Sequence, residues 1–311
     1  MMLLAGLDAG QTRTRCRISR WDNGGWTPLG EGDGPGVSHL DAAGGEQRFL
    51  EAIRVSAAKA GHTPDSQSLN AAVIGASGIE HGSALEARAA GLIAQALGLP
   101  LQQVAATGDE RTALRGAFPD GAGIVLISGT GMICLGRNER GVEHRCGGWG
   151  WRLDGAGAAF DLGHQGLQLT LQMADGRCPD HPLRQQLWGQ LGCSSSAELK
   201  ALVVQPGFEP ANFAQLAPSV VACADAGHPG ARAIVSRSAR ALAASVHTVS
   251  ETLQLTAPTV VGLGGALEHL PSFERAVHDA LETLQPGAVW QRAAGDACSG
   301  ALTMARELRL R

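Results

Sequence analysis

Apolar runs that end in glycine-containing turns recur along the chain and predict its strands. The first run, residues 3–7, leads into a turn at 10–13, and a second run, residues 124–127, leads into a turn at 128–131. Behind the first turn, residues 13–18 alternate between arginines at odd positions and threonine, cysteine and isoleucine at even positions. Period-two alternation is typical of a strand with one buried face. Each segment therefore predicts a strand, a tight turn and a second strand.

The rest of the pattern predicts a similar order of elements in each half of the chain. After the first turn we predict strands at 26–29, 70–76 and 102–106, helices at 44–60, 83–97 and 110–118, and a loop at 32–39. After the second turn we predict strands at 142–146, 258–263 and 288–291, and helices at 157–174, 180–191, 195–203, 211–227, 229–254, after 265 and at 297–308. The element count of the first half is the one expected for a lobe of the actin-like α/β ATPase fold (sugar kinase, Hsp70, actin; ribonuclease H-like). We expect two lobes, 1–118 and 119–311, with a cleft and a hinge near 117–123. We also note the last helix as a candidate to pack back on the first lobe.

Composition narrows the class of protein. The 311 residues are 44% hydrophobic and 17% charged, with a net charge of −4, which gives no reason to expect a nucleic-acid or membrane partner. Tyrosine is absent and aromatic residues make up 4%, so a base-stacking surface is not expected. The seven scattered cysteines form no CxxC pair, which favours free thiols in a reducing cytoplasm without a zinc or iron–sulfur site. The first residues lack a signal-peptide pattern, and no apolar run approaches the roughly 20 residues of a membrane span.

The two glycine turns are candidate phosphate-binding loops. Glycine lets backbone amides approach an anion closely, and threonine hydroxyls add neutral donors. Residues Gly10, Gln11, Thr12 and Arg13 form the first turn, and Gly129, Thr130 and Gly131 lie in the second. Asp8 ends the strand before the first turn, where a carboxylate can hold Mg²⁺ beside phosphate oxygens. The competing interpretation is a turn aspartate that bonds its own backbone.

Asp109 is the candidate general base. It follows a predicted strand and precedes a helix, and ligands of open α/β sheets bind outside the carboxyl ends of strands. There a carboxylate can accept the proton of a substrate hydroxyl. The competing interpretation is a helix N-cap, a position that aspartate also favours.

A glycine- and tryptophan-rich segment, Gly147-Gly148-Trp149-Gly150-Trp151-Arg152-Leu153-Asp154, is the candidate sugar loop, because an apolar ring face and peripheral polar groups suit a sugar. Each tryptophan taken alone is equally well explained by packing in a small core. Gly262-Leu263-Gly264-Gly265 before a helix is a candidate adenosine contact, with a plain strand-to-helix turn as the alternative. The histidines show no paired metal spacing, and His39 is the one that lies in a glycine-rich loop.

Taken together, these motifs resemble the BadF/BadG/BcrA/BcrD-type ATPases over nearly the whole chain, and among them the N-acetylglucosamine and glucosamine kinases. The segments that carry the resemblance are Gly6-Leu7-Asp8-Ala9-Gly10-Gln11-Thr12-Arg13, Thr107-Gly108-Asp109, Ser128-Gly129-Thr130-Gly131, Gly147-Gly148-Trp149-Gly150, Leu263-Gly264-Gly265 and Gly295-Asp296-Ala297-Cys298-Ser299-Gly300-Ala301-Leu302. The resemblance implies a cytoplasmic kinase that binds ATP and Mg²⁺, with Asp8 at the metal and Asp109 as base. It further implies adenosine contacts from Gly264 and Gly265. The residues implied for the sugar are Ser38, His39, Thr107, Gly147, Gly148 and Asp154.

Three departures from the family pattern bear on the sugar. The family often carries asparagine in the loop that Ser38 and His39 occupy, and N-acetylglucosamine kinases can carry asparagine where Ile133 stands. Their Gly-Asp-Glu-Gly-Ser segment reads Asp154-Gly155-Ala156-Gly157-Ala158 here, so one acid is displaced and the other is missing. A missing carboxylate favours a neutral, acetylated amino sugar. For an amino-sugar kinase of this kind we expect the primary hydroxyl to be phosphorylated. Three alternative functions remain open: a glucosamine kinase, a non-kinase ATPase or activator, and a sugar-sensing binder. The sequence also leaves a homodimer open.

Overall fold

A computed structural model describes residues 1–63 and 68–310. The chain divides into two compact units, residues 1–121 with 292–311, and residues 122–291. The strands are β1 (Met2–Ala9), β2 (Arg13–Asp22), β3 (Gly25–Pro35), β4 (Ala71–Ala76), β5 (Val104–Thr107), β6 (Gly123–Ser128), β7 (Met132–Arg137), β8 (Glu143–Gly147), β9 (Thr259–Leu263) and β10 (Val289–Gln291). The helices are α1 (Gly45–Lys59), α2 (Ala84–Leu97), α3 (Asp109–Ala117), α4 (Ala159–Ala174), α5 (Pro182–Gln190), α6 (Ser196–Val203), α7 (Pro210–Ala214), α8 (Ala217–Asp225), α9 (Pro229–Leu253), α10 (Gly265–His269), α11 (Pro271–Leu284) and α12 (Ala297–Leu310).

The two sheets repeat one strand order. The first runs β3-β2-β1-β4-β5 and the second β8-β7-β6-β9-β10. In each, three antiparallel strands precede two parallel ones: β1 pairs antiparallel with β2 and parallel with β4, and β6 pairs antiparallel with β7 and parallel with β9. The predicted α/β class and its repeated order of elements are therefore confirmed.

Strand β3 is longer than predicted, and its glycines explain why. We predicted a strand at 26–29 and a loop at 32–39, but the strand continues to Pro35, so the loop prediction is wrong for residues 32–35. Gly30, Gly32 and Gly34 lie at every second position against the backbone of α1 and of its C-cap residue, Ala60. A Cβ atom on any of them would overlap that backbone; on Gly34 it would lie 2.6 Å from the Ala52 carbonyl. The glycines that indicated a loop instead form a flat strip along the strand, and α1 packs on it.

Two predicted helices are each interrupted. The region predicted as one helix at 211–227 contains α7 and α8, and the helix predicted after residue 265 is split into α10 and α11. Pro218 stands in the first turn of α8 and Pro271 begins α11. A proline lacks the backbone N–H that a continuous helix requires, so each starts a new helix instead.

Helix α12 belongs to the first unit, although it lies at the end of the chain. A Cβ atom on Gly6 of β1 would lie 2.7 Å from the backbone nitrogen of Leu302 in this helix, so strand and helix touch through backbone. Leu4, Val73, Leu302 and Ala305 form a small core on this face of the sheet. The opposite face packs against α1 and α2 around Leu7, Phe49, Ile53 and Ile74. Both faces of β1 are therefore covered.

The second unit has one large core between its sheet and its helices, which includes Leu126, Leu162, Leu187, Val220 and Leu242. The Trp188 indole is buried there and donates to the Thr170 hydroxyl at 2.9 Å. Among the described residues, none of the helices is both long enough and apolar enough to cross a membrane.

The glycine surface under α1 gives a stability prediction. Gly32→Ala should lower the free energy of unfolding by about 1–3 kcal/mol, because the new methyl group meets fixed backbone atoms of α1. Gly91→Ala is the matched control: Gly91 lies exposed within α2 with open space around it, and the change should stabilise the protein by about 0.5–1 kcal/mol. Urea unfolding of both variants measures the two signs. Equal effects would show that the close approach of β3 and α1 is not restrictive.

Candidate active site

The turn between β1 and β2 is held by backbone bonds and leaves its tip exposed. The Gly10 N–H donates to the Arg13 carbonyl, and the Val37 N–H donates to the Gly10 carbonyl, both at 3.0 Å. A Cβ atom on Gly36 would overlap the Gln11 carbonyl, so the chain after β3 lies directly against the turn. Gln11 and Thr12 are exposed at its tip. The predicted first phosphate residues thus form an open turn that neighbouring chain supports.

Asp8 lies beside this turn and contacts an arginine on the next strand. Register pairs Asp8 of β1 with Arg15 of β2, and the Arg15 Nη2 atom donates to Asp8 Oδ2 at 3.1 Å. Asp8 remains 26% exposed. Its carboxylate is therefore oriented by protein on one side and accessible on the other, which neither the motif nor the spacing in the sequence revealed.

Asp109 is the first residue of α3, and the N-cap is Gly108. Asp109 therefore stands one position after the N-cap, in the first turn of the helix. Glycine contacts fix the helix in place: a Cβ atom on Gly300 of α12 would overlap the Thr112 carbonyl, and one on Gly75 of β4 would overlap the Thr112 hydroxyl. The start of α3, with Asp109, is held between a strand and the C-terminal helix.

The surroundings of Asp109 disfavour its charge. Burial, and next the negative charge of Asp8, raise the pKa of Asp109 from 3.8 to about 6, while hydrogen bonds from the backbone and side chain of Glu110 act in the opposite direction. The Asp109 side chain is nevertheless partly exposed. A carboxylate with a pKa near 6 is ionised at neutral pH and is a stronger base than an ordinary aspartate.

Two candidate sugar residues of the first unit carry buried hydroxyls without a partner. Thr107 ends β5, is 4% exposed, and its Oγ1 atom has no hydrogen-bond partner among the described residues. The Ser38 hydroxyl is also buried, and it too has no hydrogen-bond partner in the part of the chain that the structure describes. His39, the next residue, is exposed, and its Nδ1 atom accepts the Asp41 N–H at 3.3 Å. Because buried hydroxyls are normally hydrogen-bonded, Thr107 and Ser38 are suited to a polar ligand.

In the second unit, the turn at 128–131 is built by α4. The Ala159 N–H donates to the Gly129 carbonyl at 2.8 Å, and the Ser128 hydroxyl donates to the Gly157 carbonyl at 2.7 Å. Cβ atoms on Gly129 and Gly131 would meet nothing within 4 Å. The turn is therefore anchored from behind and open in front, as a phosphate loop requires.

The candidate adenosine and sugar segments of this unit adjoin that turn and its strand. Gly264 has φ +90°, and a Cβ atom on it would lie 2.6 Å from the Ser128 carbonyl, so only glycine fits. Gly147 also has a positive φ, and its Cβ atom would lie 2.5 Å from the Met132 sulfur and 3.4 Å from Asp154 Oδ2. The structure thus brings the Gly264 turn to the second turn, and Gly147 and Asp154 to the strand that follows it. Gly265 shows no comparable close contact, and Gly148 lies against Ile133.

Sequence reasoning missed Asp161. Its Oδ2 atom accepts the Gly157 N–H at 3.0 Å and the Ser238 hydroxyl at 2.8 Å, and its Oδ1 atom accepts from the Gln165 amide. Asp161 therefore stabilises the segment that supports the second turn. Residues 155–158 of that segment contain no acid themselves. The available signal was an acid close to the start of a predicted helix, and Asp161 lies in the first turn of α4.

No group of three or more His, Cys, Asp or Glu side chains that could hold a metal ion is found among the residues that the structure describes. A cation cage made only of protein is thus not seen there. Mg²⁺ in phosphoryl transfer is typically held by one or two carboxylates together with substrate phosphates and water, and Asp8 fits that donor set.

Solved structures that share this fold include kinases that act on sugars. A crystal structure of a proposed N-acetylglucosamine kinase from Chromobacterium violaceum superposes with a TM-score of 0.75 and 27% identity, covering 98% of this chain and 99% of that one. A ROK family glucokinase from Streptomyces griseus, in complex with glucose and AMPPNP, matches with a TM-score of 0.58 and 15% identity over 99% and 100% of the two chains, and shows the fold alone. The protein thus has the actin-like ATPase fold that its element order predicts.

The sequence model of the BadF/BadG/BcrA/BcrD ATPase family matches residues 5–304, and the chain belongs to that family. The N-acetylmuramic acid/N-acetylglucosamine kinase of Clostridium acetobutylicum is 30% identical over 164 residues, 52% of this chain and 54% of the relative. The N-acetyl-D-glucosamine kinase of Dictyostelium discoideum is 33% identical over 134 residues, 43% of this chain and 42% of the relative. The chain therefore spans about half the length of the curated relatives it matches.

The raised pKa of Asp109 gives a stability prediction that is independent of activity. Because the folded pKa exceeds the unfolded one, stability is lost as pH rises from about 4 through about 6. Asp109→Asn should therefore raise the free energy of unfolding at pH 8 by about 1–3 kcal/mol, and by much less at pH 4. Urea unfolding without nucleotide or metal measures both values. Asp120→Asn, at an exposed position, is the control, and equal changes for the two variants would contradict the expected burial of the Asp109 charge.

Proposed function

We propose that the protein is an ATP-dependent kinase that phosphorylates the primary hydroxyl of an amino sugar, with N-acetylglucosamine as the first candidate. The observation that carries the proposal is that the buried hydroxyls of Thr107 and Ser38 have no hydrogen-bond partner among the described residues and lie in the same unit as a carboxylate suited to act as a base. A sugar offers hydroxyls to such groups. The family and the names of the relatives support the same reaction class.

In this proposal the glycine turns bind the nucleotide. Gly10, Gln11, Thr12 and Arg13 of the first turn and Gly129, Thr130 and Gly131 of the second contact phosphates, and Gly264 and Gly265 contact the adenosine. The open space in front of Gly129 and Gly131 supports this role, because backbone amides there can approach an anion. Asp8 would hold Mg²⁺, which when bound neutralises charge on the phosphates.

Asp109 would accept the proton of the sugar hydroxyl as that oxygen attacks the γ-phosphorus. The leaving ADP departs in line, so the bond to the β-phosphate oxygen breaks as the new phosphorus–oxygen bond forms. Ser38, His39, Thr107, Gly147, Gly148 and Asp154 would bind and orient the sugar. Positioning supplies most of the rate enhancement in such reactions, because the transition state is loose.

N-acetylmuramic acid is a second candidate substrate. One relative carries both sugars in its name. In this chain the Arg145 guanidinium lies 4.2 Å from the ring centre of Trp149 in the candidate sugar loop, and Trp149 is 57% exposed. Because Arg145 already has other contacts, the name of that relative is what supports this candidate.

The deciding experiment is a sugar panel with purified protein and Mg-ATP, followed by sugar-dependent ADP release. The panel contains N-acetylglucosamine, N-acetylmuramic acid, glucosamine and glucose. Turnover of any amino sugar with product phosphorylated at the primary hydroxyl supports the proposal. ATP hydrolysis that no sugar accelerates would favour a non-kinase ATPase, and sugar binding without turnover would favour a sensing protein.

Loss of the base should abolish most turnover. Asp109→Asn keeps the size of the side chain but cannot accept the proton, so kcat should fall by at least about 10²-fold while ATP affinity changes little. Steady-state kinetics and nucleotide titration measure the two quantities. Asp120→Asn, the exposed control, should leave both unchanged. Turnover of Asp109→Asn within a few-fold of the natural protein would remove Asp109 from the mechanism.

The acetylated sugar should be preferred over the free amine. Asp154 is the only acid between residues 147 and 158, so a site for an ammonium group is poorly supplied with charge. We expect kcat/KM for N-acetylglucosamine to exceed that for glucosamine by roughly tenfold, the effect of one or two contacts. A preference for glucosamine across a pH range of roughly 6 to 9, which brackets amine titration, would contradict this and indicate that Asp154 pairs with the ammonium.

A further inference from the structure

The closing motif of the chain, Gly295 to Leu302, has no role in the proposed chemistry. Asp296 of this motif stands immediately before α12 and accepts the Ser299 N–H at 2.9 Å, as an N-cap does. Its carboxylate also contacts two arginines of β2, which are about 280 positions away in the sequence. An ordinary helix cap does not require such partners.

Arg17 fixes Asp296 with a two-pronged contact. Its Nη1 atom donates to Asp296 Oδ1 at 2.8 Å and its Nη2 atom donates to Oδ2 at 2.9 Å. Arg17 also donates to the Ser299 hydroxyl at 2.8 Å and to Glu31. Burial alone would raise the pKa of Asp296, but the hydrogen bonds from Arg17 and Ser299 hold it below its usual range. The carboxylate is thus ionised and held in one orientation.

Arg15 links this fixed carboxylate to Asp8. Its Nη1 atom lies 3.3 Å from Asp296 Oδ2, and its Nη2 atom lies 3.1 Å from Asp8 Oδ2. The same guanidinium therefore joins two carboxylates that come from opposite ends of the chain. All three side chains are about one-third exposed or less. The contact of Arg15 with Asp8 is made to the Oδ2 oxygen.

We propose that Arg15, oriented by Asp296, is a positioning residue that presents Asp8 to the divalent cation of the proposed kinase reaction. The proposal rests on the assignment of Mg²⁺ to Asp8. Mg²⁺ requires near-ideal octahedral geometry and tolerates little misplacement of a ligand. Partners that orient a metal ligand from behind typically contribute 10–100-fold to metal affinity. The closing motif, through Asp296, thereby helps to orient Asp8 near the start of the chain.

Arg15 acts on Mg²⁺ binding in two opposing ways, and the sign of the net effect tests the proposal. A guanidinium beside a carboxylate repels an approaching cation and competes for its oxygen. If competition dominated, removal of Arg15 would strengthen Mg²⁺ binding. If orientation dominates, removal of Arg15 weakens it. The two interpretations therefore differ in sign.

The experiment titrates ADP into the full-length protein by calorimetry at a series of free Mg²⁺ concentrations, without sugar. We expect ADP affinity of the natural protein to rise with Mg²⁺. For Arg15→Gln, the Mg²⁺ concentration that gives half of this rise should increase about tenfold. Arg15→Lys keeps the charge but not the planar fork, and should lie between the two. Asp296→Asn keeps the helix cap and should shift the Mg²⁺ requirement in the same direction by a smaller factor.

The control is Arg20→Gln, which removes the same charge from the same strand, and it should behave as the natural protein. The KM for the sugar should change in none of these variants, whereas general damage to the fold would alter it too. Thermal unfolding confirms that each variant is folded, and Arg15→Lys serves if Arg15→Gln is not.

An unchanged Mg²⁺ requirement in Arg15→Gln, or tighter Mg²⁺ binding, would overturn the positioning role while leaving the proposed kinase intact. ADP binding by the natural protein that does not depend on Mg²⁺ would instead overturn the assignment of the cation to Asp8, and the positioning role with it. A weaker Mg²⁺ response in both Arg15→Gln and Asp296→Asn, at constant sugar KM, would establish it.

Discussion

The contact of α12 with β1 at Gly6 determines where the candidate catalytic groups of the first unit stand. Backbone touches backbone there, so the helix cannot shift along the strand without a clash. Asp8 follows two residues later on the same strand, and Asp296 caps the helix itself. Through Gly300 the same helix also touches Thr112, one turn into α3, which begins with Asp109. Three carboxylates thus depend on two glycine-mediated contacts of α12.

Electrostatics then distinguishes these carboxylates. Asp296 receives two arginines and a capping N–H, which favour its charged form, whereas Asp109 is buried near the negative charge of Asp8, which disfavours its charged form. Groups of one residue type are in this way given different protonation behaviour by their surroundings. An environment that disfavours the charge of a carboxylate, as around Asp109, is often found where a side chain has to accept a proton. This environment is maintained because α12 and β4 hold α3 in place from two sides.

Sequence reasoning identified strands and turns well, because alternation and glycine turns are local signals. Both turns, the strand that follows each of them and the helix that starts at Asp109 could be predicted in this way. It misread 32–35 as a loop, because composition cannot show that alternate glycines face a helix. It did not anticipate that Arg15 joins Asp8 to Asp296, since these residues are brought together only by tertiary packing. Asp161 was missed for the same reason: its partners Gly157 and Ser238 lie on different elements.

The position of α12 also has a consequence for how the protein is made. Residues 1–121 leave the ribosome early, but the helix that covers Leu4, Gly6 and Val73 is synthesised only after the second unit. At translation rates of about 5–20 residues per second, that apolar face waits roughly 10–40 s for its partner. The second unit, by contrast, is continuous in sequence and has all its residues before α12 appears. Completion of the first unit therefore waits until the second unit has been synthesised, and the nascent chain carries an unpaired sheet face during that time.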